Sequence, residues 1–192
     1  MSQGFLSDVE GRYLLDLARH TIEAALDIAG TPPPEPPSEA LQGPGASFVT
    51  LTMRDDILRG CIGTLTARRP LIDDVRANAL AAAFEDPRFS PLTREELPGI
   101  RVEVSVLTKP HPLDYDGPQD LVRRLRPDVD GVVIEQGWHR ATFLPQVWEQ
   151  LPTPEEFLSH LCYKAGLPAR AWQEGRLKVS IYQVRKFREE SP

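Results

Sequence analysis

The stretch FVTLTMRDDILRGCIG, residues 48–63, decides the fold class of this chain. Residues 48–54 and 57–63 have the composition of strands, and Asp55-Asp56 between them fits a two-residue turn. Residues 131–135 and 138–143, joined at Gln136-Gly137, repeat this hairpin pattern. Hairpins mixed with helices predict an α+β fold with a largely antiparallel sheet and flanking helices, and not a doubly wound parallel sheet.

Capping signals mark the helices. Ser7 with Glu10 forms a capping box that opens a helix expected to end at Gly30. Thr153 with Glu156 opens another helix, which is expected to end at Gly166. Periodicity further predicts a helix from Pro70, a strand at residues 100–108 with Val102, Val104 and Val106 on one face, a helix near residues 118–125 and a single strand at residues 177–187.

Residues 31–46, TPPPEPPSEALQGPGA, are too rich in Pro and Gly for a regular element. They predict an extended and fairly stiff surface connection. Such a connection serves either as a linker between two lobes or as a loop that wraps one domain, and the sequence leaves both open. We therefore treat residues 1–192 as a single domain with a possible small lobe.

Composition excludes several classes of protein. The 22 Lys and Arg against 28 Asp and Glu give a net charge of −6, which disfavours a nucleic-acid partner because a phosphate backbone needs a concentrated positive surface. Two cysteines exclude a disulfide scaffold and a four-cysteine zinc site, so we expect no metal and no cofactor. No signal peptide and no apolar run of membrane-spanning length is visible, which predicts a cytoplasmic protein with no membrane partner.

The segment LRGCIG, residues 58–63, carries the main candidate chemistry. On a regular strand Leu58 and Ile62 point to one face, expected to be the core, and Arg59 and Cys61 point together to the other. A guanidinium beside a thiol favours the reactive thiolate. Cys61 and Arg59 are therefore the candidate catalytic residues, although a small buried cysteine beside a surface arginine is a simpler interpretation of the same spacing.

Gly60 and Gly63 interrupt this strand at an entropic cost. Two glycines flanking a cysteine indicate that something approaches the backbone closely. That something is either a ligand, which makes both glycines candidate binding residues, or another strand or helix of the protein.

Asp86-Pro87-Arg88-Phe89 follows the helix that begins near Pro70. Arg88 is a candidate clamp for an anionic group, with Asp86 to orient a partner. The structural alternative is that Asp-Pro ends the helix, Arg88 caps its carbonyl groups and Phe89 anchors the loop.

Three further ligand-contact candidates lie near the C-terminus: Arg140, Thr142 and Lys164. Arg140 and Thr142 share one strand face, whereas His139 lies on the other face and is predicted to be packed. Lys164 lies on a helix face with Glu156 and is predicted to be solvated, unless that face borders a binding site. The acidic pairs, such as Asp73-Asp74, are predicted to lie on solvated faces as well.

Four segments together resemble the AMMECR family: LRGCIG, FEDPRFSPLTREEL at residues 84–97, IRVEVSVL at residues 100–107, and GWHRATFLPQVWEQLPTPEEFLSHLCYKAGL at residues 137–167. They occur in the expected order and cover most of the chain from about residue 48 to 187. Residues 31–46 carry no motif of the family.

The resemblance implies a fold with a larger and a smaller lobe around a cleft, with Arg59-Gly60-Cys61 at or near that cleft. It also implies an association with a radical-SAM protein and a Memo-type protein, the AmmeMemoRadiSam system. This chain lacks the three-cysteine cluster of a radical-SAM enzyme, so it would be a companion of that enzyme.

The resemblance does not supply an activity, and two hypotheses remain. The first is an enzyme or enzyme component in which Cys61 acts as nucleophile or covalent anchor, Arg59 favours the thiolate, and Arg88 or Arg140 grips the substrate. The second is a non-catalytic module that presents the same residues to a partner protein or a small ligand.

Overall fold

Two antiparallel sheets with four α-helices make up the computed structural model, which describes residues 6–28, 32–33 and 35–190. The predicted α+β class is confirmed. The described residues up to Thr108, with those from Arg185 onward, form one compact unit, here called unit 1. Lys109–Val184 forms unit 2.

Helix α1, Asp8–Ala25, begins with the predicted capping box, because Ser7 accepts from the main-chain N–H of Glu10 and the Glu10 carboxylate accepts from that of Ser7. The helix ends at Ala25, earlier than expected, and the predicted stop at Gly30 lies outside the described residues. The connection at residues 31–46 has both ends in unit 1. Within it, Glu39–Gln42 forms a 3₁₀ helix that was not predicted. This helix buries one large apolar side chain, Leu41, and a single apolar residue in a Pro-rich stretch gives no periodic signal.

The sheet of unit 1 contains the strands β1 at Pro44–Met53, β2 at Leu58–Gly63, β3 at Arg69–Pro70, β4 at Ile100–Leu107 and β9 at Val184–Arg188. Their order in the sheet is β2-β1-β4-β9, with β3 also paired to β1. Val102, Val104 and Val106 of β4 are buried, as their alternation predicts. A short 3₁₀ helix, Leu97–Gly99, precedes β4.

Helix α2, Leu71–Phe84, packs on β1 and β2. Its Asp74 is buried and not solvated, which corrects the expectation for the Asp73-Asp74 pair. The Asp74 carboxylate accepts hydrogen bonds from Ser47, Thr64, Asn78 and Arg69. A buried carboxylate is tolerated here because these donors replace its hydration.

Unit 2 contains the elements β5 at His111–Pro112, α3 at Pro118–Arg124, β6 at Gly131–Gln136, β7 at His139–Phe143, α4 at Pro154–Lys164 and β8 at Lys178–Tyr182. Its strands form the second sheet, with the order β5-β8-β6-β7. Thr153 caps α4 as predicted, and β6 and β7 form the predicted hairpin. Trp148 stacks on Phe157 in the core, with 3.7 Å between ring centroids.

The strand predicted at residues 177–187 is two strands, β8 and β9, which belong to different sheets. Apolar alternation continues through both, so it does not reveal where the chain leaves one sheet for the other.

Among the described residues, no helix combines the length and apolar character that crossing a membrane requires.

Candidate functional site

Cys61 lies in β2, at the edge of the unit 1 sheet, opposite Thr50 of β1. Its side chain is partly exposed, and the Thr50 hydroxyl donates a hydrogen bond of 3.3 Å to Sγ. The residue is therefore not sealed in the core, and it has a donor directed at its sulfur. Cys162, by contrast, is fully buried in the core of unit 2, as predicted, and burial raises the pKa of its thiol.

A β-bulge at Arg59 corrects the prediction that Arg59 and Cys61 share one face. Gly60 pairs with Leu51, but Leu58 pairs with Thr52, so Arg59 is an extra residue without a partner on β1. The bulge breaks the alternation that the prediction assumed. As a consequence Leu58 is 37% exposed, whereas it was expected in the core, and Arg59 is only 9% exposed.

The Arg59 guanidinium binds Glu96 instead of the thiol. Nε donates to Oε1 at 2.9 Å, and Nη2 donates to Oε2 at 3.0 Å and to the Ser90 carbonyl at 2.9 Å. These bonds lower the pKa of the Glu96 carboxyl. Because Glu96 neutralises this buried cation, the role that Arg59 performs here is to tie the segment after α2 to the edge strand.

Asp86 and Arg88 occupy the free edge of β2 at Cys61. The Asp86 carboxylate accepts from the Cys61 main-chain N–H at 2.9 Å, and Arg88 Nη2 donates to the Cys61 carbonyl at 3.3 Å. Arg88 is bound to the same carboxylate through Nε at 2.9 Å and Nη2 at 2.6 Å. The pair thus contacts the cysteine main chain as a neighbouring strand would.

The hydrogen bond from Arg88 is the main cause that lowers the pKa of the Asp86 carboxyl far below its usual value. This effect outweighs burial, which raises the pKa of Asp86 because the Asp86 side chain is only 2% exposed. Asp86 in turn raises the pKa of Arg88, to which attraction by Cys61 adds a smaller part. Arg88, and not Arg59, is therefore the arginine that contacts Cys61, through the main-chain carbonyl of that residue.

The close approach that Gly60 and Gly63 indicate is made by the protein itself. A Cβ at Gly60 would lie 2.1 Å from the Ala82 carbonyl oxygen of α2, and one at Gly63 would lie 2.2 Å from the Phe48 ring. Packing of a helix and a neighbouring side chain accounts for both glycines without a ligand, although their role in binding stays a prediction.

Phe89 is partly buried and lies near two guanidinium groups. Its ring centroid is 5.8 Å from Arg59 Cζ and 5.5 Å from Arg88 Cζ, within the range of cation–π attraction. The aromatic ring links the structural arginine to the one beside Cys61.

The remaining predicted ligand contacts belong to unit 2 and form a group there. Arg140 binds Glu135 at 2.8 Å, and the Thr142 hydroxyl lies 3.1 Å from the Tyr182 hydroxyl. Lys164 donates to the Thr142 carbonyl at 3.0 Å. His139 is packed, with Nδ1 2.8 Å from the carbonyl oxygen of residue 165. A binding role for Arg140, Thr142 and Lys164 stays a prediction.

Two residues of the site, Thr50 and Glu96, were not predicted from the sequence. Thr50 could have been found, because a hairpin with a two-residue turn at Asp55-Asp56 places it opposite Cys61. Glu96 lies three residues after Thr93, whose main-chain N–H it binds at 2.9 Å, and this spacing is that of a helix cap. No local pattern shows that Glu96 also binds Arg59, since that contact joins distant parts of the chain.

Within the described part of the chain, no three His, Cys, Asp or Glu side chains are grouped so that they could hold a metal ion. The expectation that the protein needs no cofactor stays a prediction.

Comparisons with known proteins agree with the motifs. A model of the AMMECR1 family matches residues 15–187. A protein of Thermofilum pendens is 41% identical over 98% of this chain and 94% of its own length. One of Methanothermobacter thermautotrophicus is 42% identical over 96% and 97%. The crystal structure of the uncharacterised protein PH0010 of Pyrococcus horikoshii superposes with a TM-score of 0.77 at 36% identity, covering 97% of this chain and 95% of that one.

Proposed function

The chain belongs to the AMMECR1 family, and we propose that it is an enzyme or enzyme component that reacts through the thiol of Cys61. The observation that carries this proposal is the surroundings of the sulfur. Cys61 is partly exposed, its sulfur receives a hydrogen bond from Thr50, and its main-chain carbonyl is bound by a cation, Arg88, that a buried carboxylate holds in place. A hydroxyl donor and a nearby cation are the surroundings in which cysteines act as nucleophiles.

The proposed step is a displacement at an electrophilic carbon. The thiol gives its proton to solvent, the sulfur attacks, and an S–C bond forms while the leaving group departs with the electron pair of the bond that breaks. Transfer of the carbon to a second nucleophile then releases the Cys61 thiolate. Arg88 is half-exposed and has one nitrogen, Nη1, to which no described residue is bonded, so it suits a substrate with an anionic group.

The proposal includes the setting that the family resemblance implies. The protein would act in the cytoplasm, where a free thiol persists, as a companion of a radical-SAM protein and a Memo-type protein. Its net charge of −6 favours these or a small molecule over nucleic acid as partner.

Iodoacetamide should alkylate Cys61 about a hundredfold faster than Cys162 in the folded protein, because Cys162 becomes accessible only when unit 2 opens. The rates are measured from pH 5 to 9 by peptide mass spectrometry, with Cys162 as the internal control. The Cys61→Ser variant should retain only the slow reaction. A Cys61 that reacts no faster than Cys162 would refute the catalytic proposal.

A matched pair of arginine variants identifies the cation that assists the thiol. Arg88→Met should slow alkylation of Cys61 about threefold and weaken its dependence on salt, whereas Arg88→Lys should restore most of the rate. Arg140 is about as exposed as Arg88 and also pairs with a carboxylate, that of Glu135, so Arg140→Met is the control and should leave the rate of Cys61 alkylation unchanged. Equal effects of the two methionine variants would exclude Arg88 from this role.

A second candidate function is a non-catalytic binding module. The observation that favours it is that Asp86 and Arg88 bind the main chain of Cys61, while the Phe89 ring lies near both Arg59 and Arg88, so that these side chains hold one another in place. Such a surface recognises a partner without any reaction at the sulfur.

Incubation with a small-molecule extract of cells distinguishes the two functions. The enzyme proposal predicts a mass increase on Cys61 of the wild type that Cys61→Ser lacks. It also predicts that wild type, Cys61→Ser and Arg88→Met, each immobilised on a column, retain the same proteins from a cell extract. The binding module predicts no adduct on Cys61; the immobilised Cys61→Ser variant would retain the partner protein, and the immobilised Arg88→Met variant would not. The adduct result supports the first function, and the retention result supports the second in its place.

A further inference from the structure

Unit 2 carries a surface pocket of about 560 Å³ that is not lined by any residue proposed to act with Cys61. Its walls come from α3, from the first turn of α4 and from the 3₁₀ helix Ala171–Glu174. The volume lies within the range of roughly 300 to 1,000 Å³ that is typical of small-molecule sites.

One wall of the pocket is apolar and fixed in position. Trp172 is only 6% exposed, and its indole N–H donates to Ser159 Oγ at 3.0 Å, which holds the orientation of the ring. Pro118 and Val122 of α3 extend this wall. An apolar group of a ligand would therefore meet an immobile aromatic surface.

Two side chains of opposite charge, Arg123 and Glu155, also line the pocket. The Glu155 carboxylate makes no hydrogen bond or ion pair with any residue that the structure describes; the Ser159 hydroxyl binds the main-chain carbonyl of Glu155 and not its side chain. Glu155 is thus available to a cationic group.

Arg123 is held loosely. Among the described residues its side chain pairs only with Asp120, at 3.2 Å. Asp120 is bound more closely by Arg124, at 2.6 Å, and also accepts from the main-chain N–H of Asp116. Asp120 would remain paired if Arg123 turned towards a ligand, so that movement leaves no unpaired carboxylate.

We propose that this pocket binds a small zwitterionic molecule of the amino-acid or dipeptide class. The carboxylate would bind Arg123, the ammonium group Glu155, and an apolar side chain Trp172. A purely anionic ligand would meet the charge of Glu155, and a purely cationic one that of Arg123, so the two residues together select a molecule with both charges. The amides of Gln119 and Gln173 also line the pocket and can bond a peptide group.

The test uses the full chain and the dipeptide L-phenylalanyl-L-alanine, with its N-acetylated, C-amidated and doubly blocked forms as probes. Binding is followed by the indole N–H resonances of ¹⁵N-labelled protein. The signal of Trp172 should move, with a Kd on the order of 10⁻⁴ to 10⁻³ M. The signal of Trp148, which is buried and bonded to the Asp130 carbonyl, should stay. Ser159→Ala identifies the Trp172 signal, since it removes the hydrogen-bond acceptor.

Each blocked form should bind about fivefold weaker, because it loses one partly exposed ion pair. Arg123→Met should weaken binding of the free dipeptide by the same factor, and this variant should bind the free dipeptide and its C-amide equally well. Glu155→Gln should likewise weaken binding of the free dipeptide, and it should bind the free dipeptide and its N-acetyl form equally well. Arg124→Met, which shares Asp120 with Arg123 but does not line the pocket, serves as the control and should bind normally.

Two results would overturn the proposal. One is a Trp172 signal that no probe shifts at about 10 mM, which is well above the expected Kd. The other is a doubly blocked dipeptide that binds as tightly as the free one, since the pocket would then select apolar surface and not charge.

Discussion

Replacing Gly60 by alanine should lower the free energy of unfolding by about 3 kcal/mol, at the upper end of what overpacking costs. The new Cβ would lie 2.1 Å from the Ala82 carbonyl oxygen, and that atom belongs to the backbone of α2. Neither the helix nor the strand can yield as a flexible side chain would. Urea unfolding followed by circular dichroism measures the loss as a lower midpoint with an unchanged slope.

Gly99→Ala is the matched control for this substitution. The nearest heavy atom to a Cβ at Gly99 is Met53 Cε, at 3.8 Å, which is ordinary van der Waals contact. We expect its stability to stay within about 0.5 kcal/mol of the wild type. If Gly60→Ala were equally stable, the close approach of α2 to the edge strand would be wrong.

Asp86→Asn should also destabilise the protein by about 3 kcal/mol at pH 7, the lower end of the cost of breaking a buried ion pair, because Arg88 is half-exposed and water can replace its partner. The amide keeps the shape of the carboxyl group, but it carries no charge, and its nitrogen turns a donor towards either the Cys61 or the Arg88 main-chain N–H, which the two carboxylate oxygens accept. Loss of the anchored guanidinium should also slow alkylation of Cys61.

The pH dependence follows from the sign of the pKa change. Because folding lowers the pKa of the Asp86 carboxyl, its contribution to stability is fully present above the ordinary value of 3.8 and is lost as the pH falls towards the folded value. The difference in stability between wild type and Asp86→Asn should therefore be constant from pH 7 to about pH 5 and shrink below about pH 4. Urea unfolding of both proteins across this range measures it.

Asp73→Asn is the control, since Asp73 pairs with Arg76 at 3.2 Å with both side chains about half-exposed. A surface ion pair of this kind contributes about 0 to 1 kcal/mol. If Asp86→Asn cost no more than Asp73→Asn, the pair at Cys61 would not be the anchored cation on which the proposed function depends.

Local patterns in the sequence predicted many of the elements. The capping box of Ser7 and Glu10 and the cap at Thr153 mark helix starts because capping joins residues three apart. The alternation in β4 marks its buried face, because adjacent side chains of a strand point to opposite sides. The motifs around Cys61 also led to the family. These signals are short-range, so the amino-acid order alone determines them.

The candidate site was predicted only in part. Cys61, Asp86 and Arg88 lie together as contacts of one edge strand, and their motifs had drawn attention to each of them. The arginine that contacts Cys61, however, is Arg88 and not Arg59. The bulge that redirects Arg59 arises from the pairing of two strands, and Glu96, which binds Arg59, lies 37 residues away in the chain.

The amino-acid sequence by itself determined the α+β class, the hairpins, the helix caps, the family and the segment that carries the thiol. Only the tertiary structure decided which arginine contacts Cys61, that Asp74 is buried, and that β8 and β9 belong to different sheets. The physical reason is distance along the chain. A bulge, a buried carboxylate and a change of sheet depend on donors and surfaces that remote segments supply, and no local period records them.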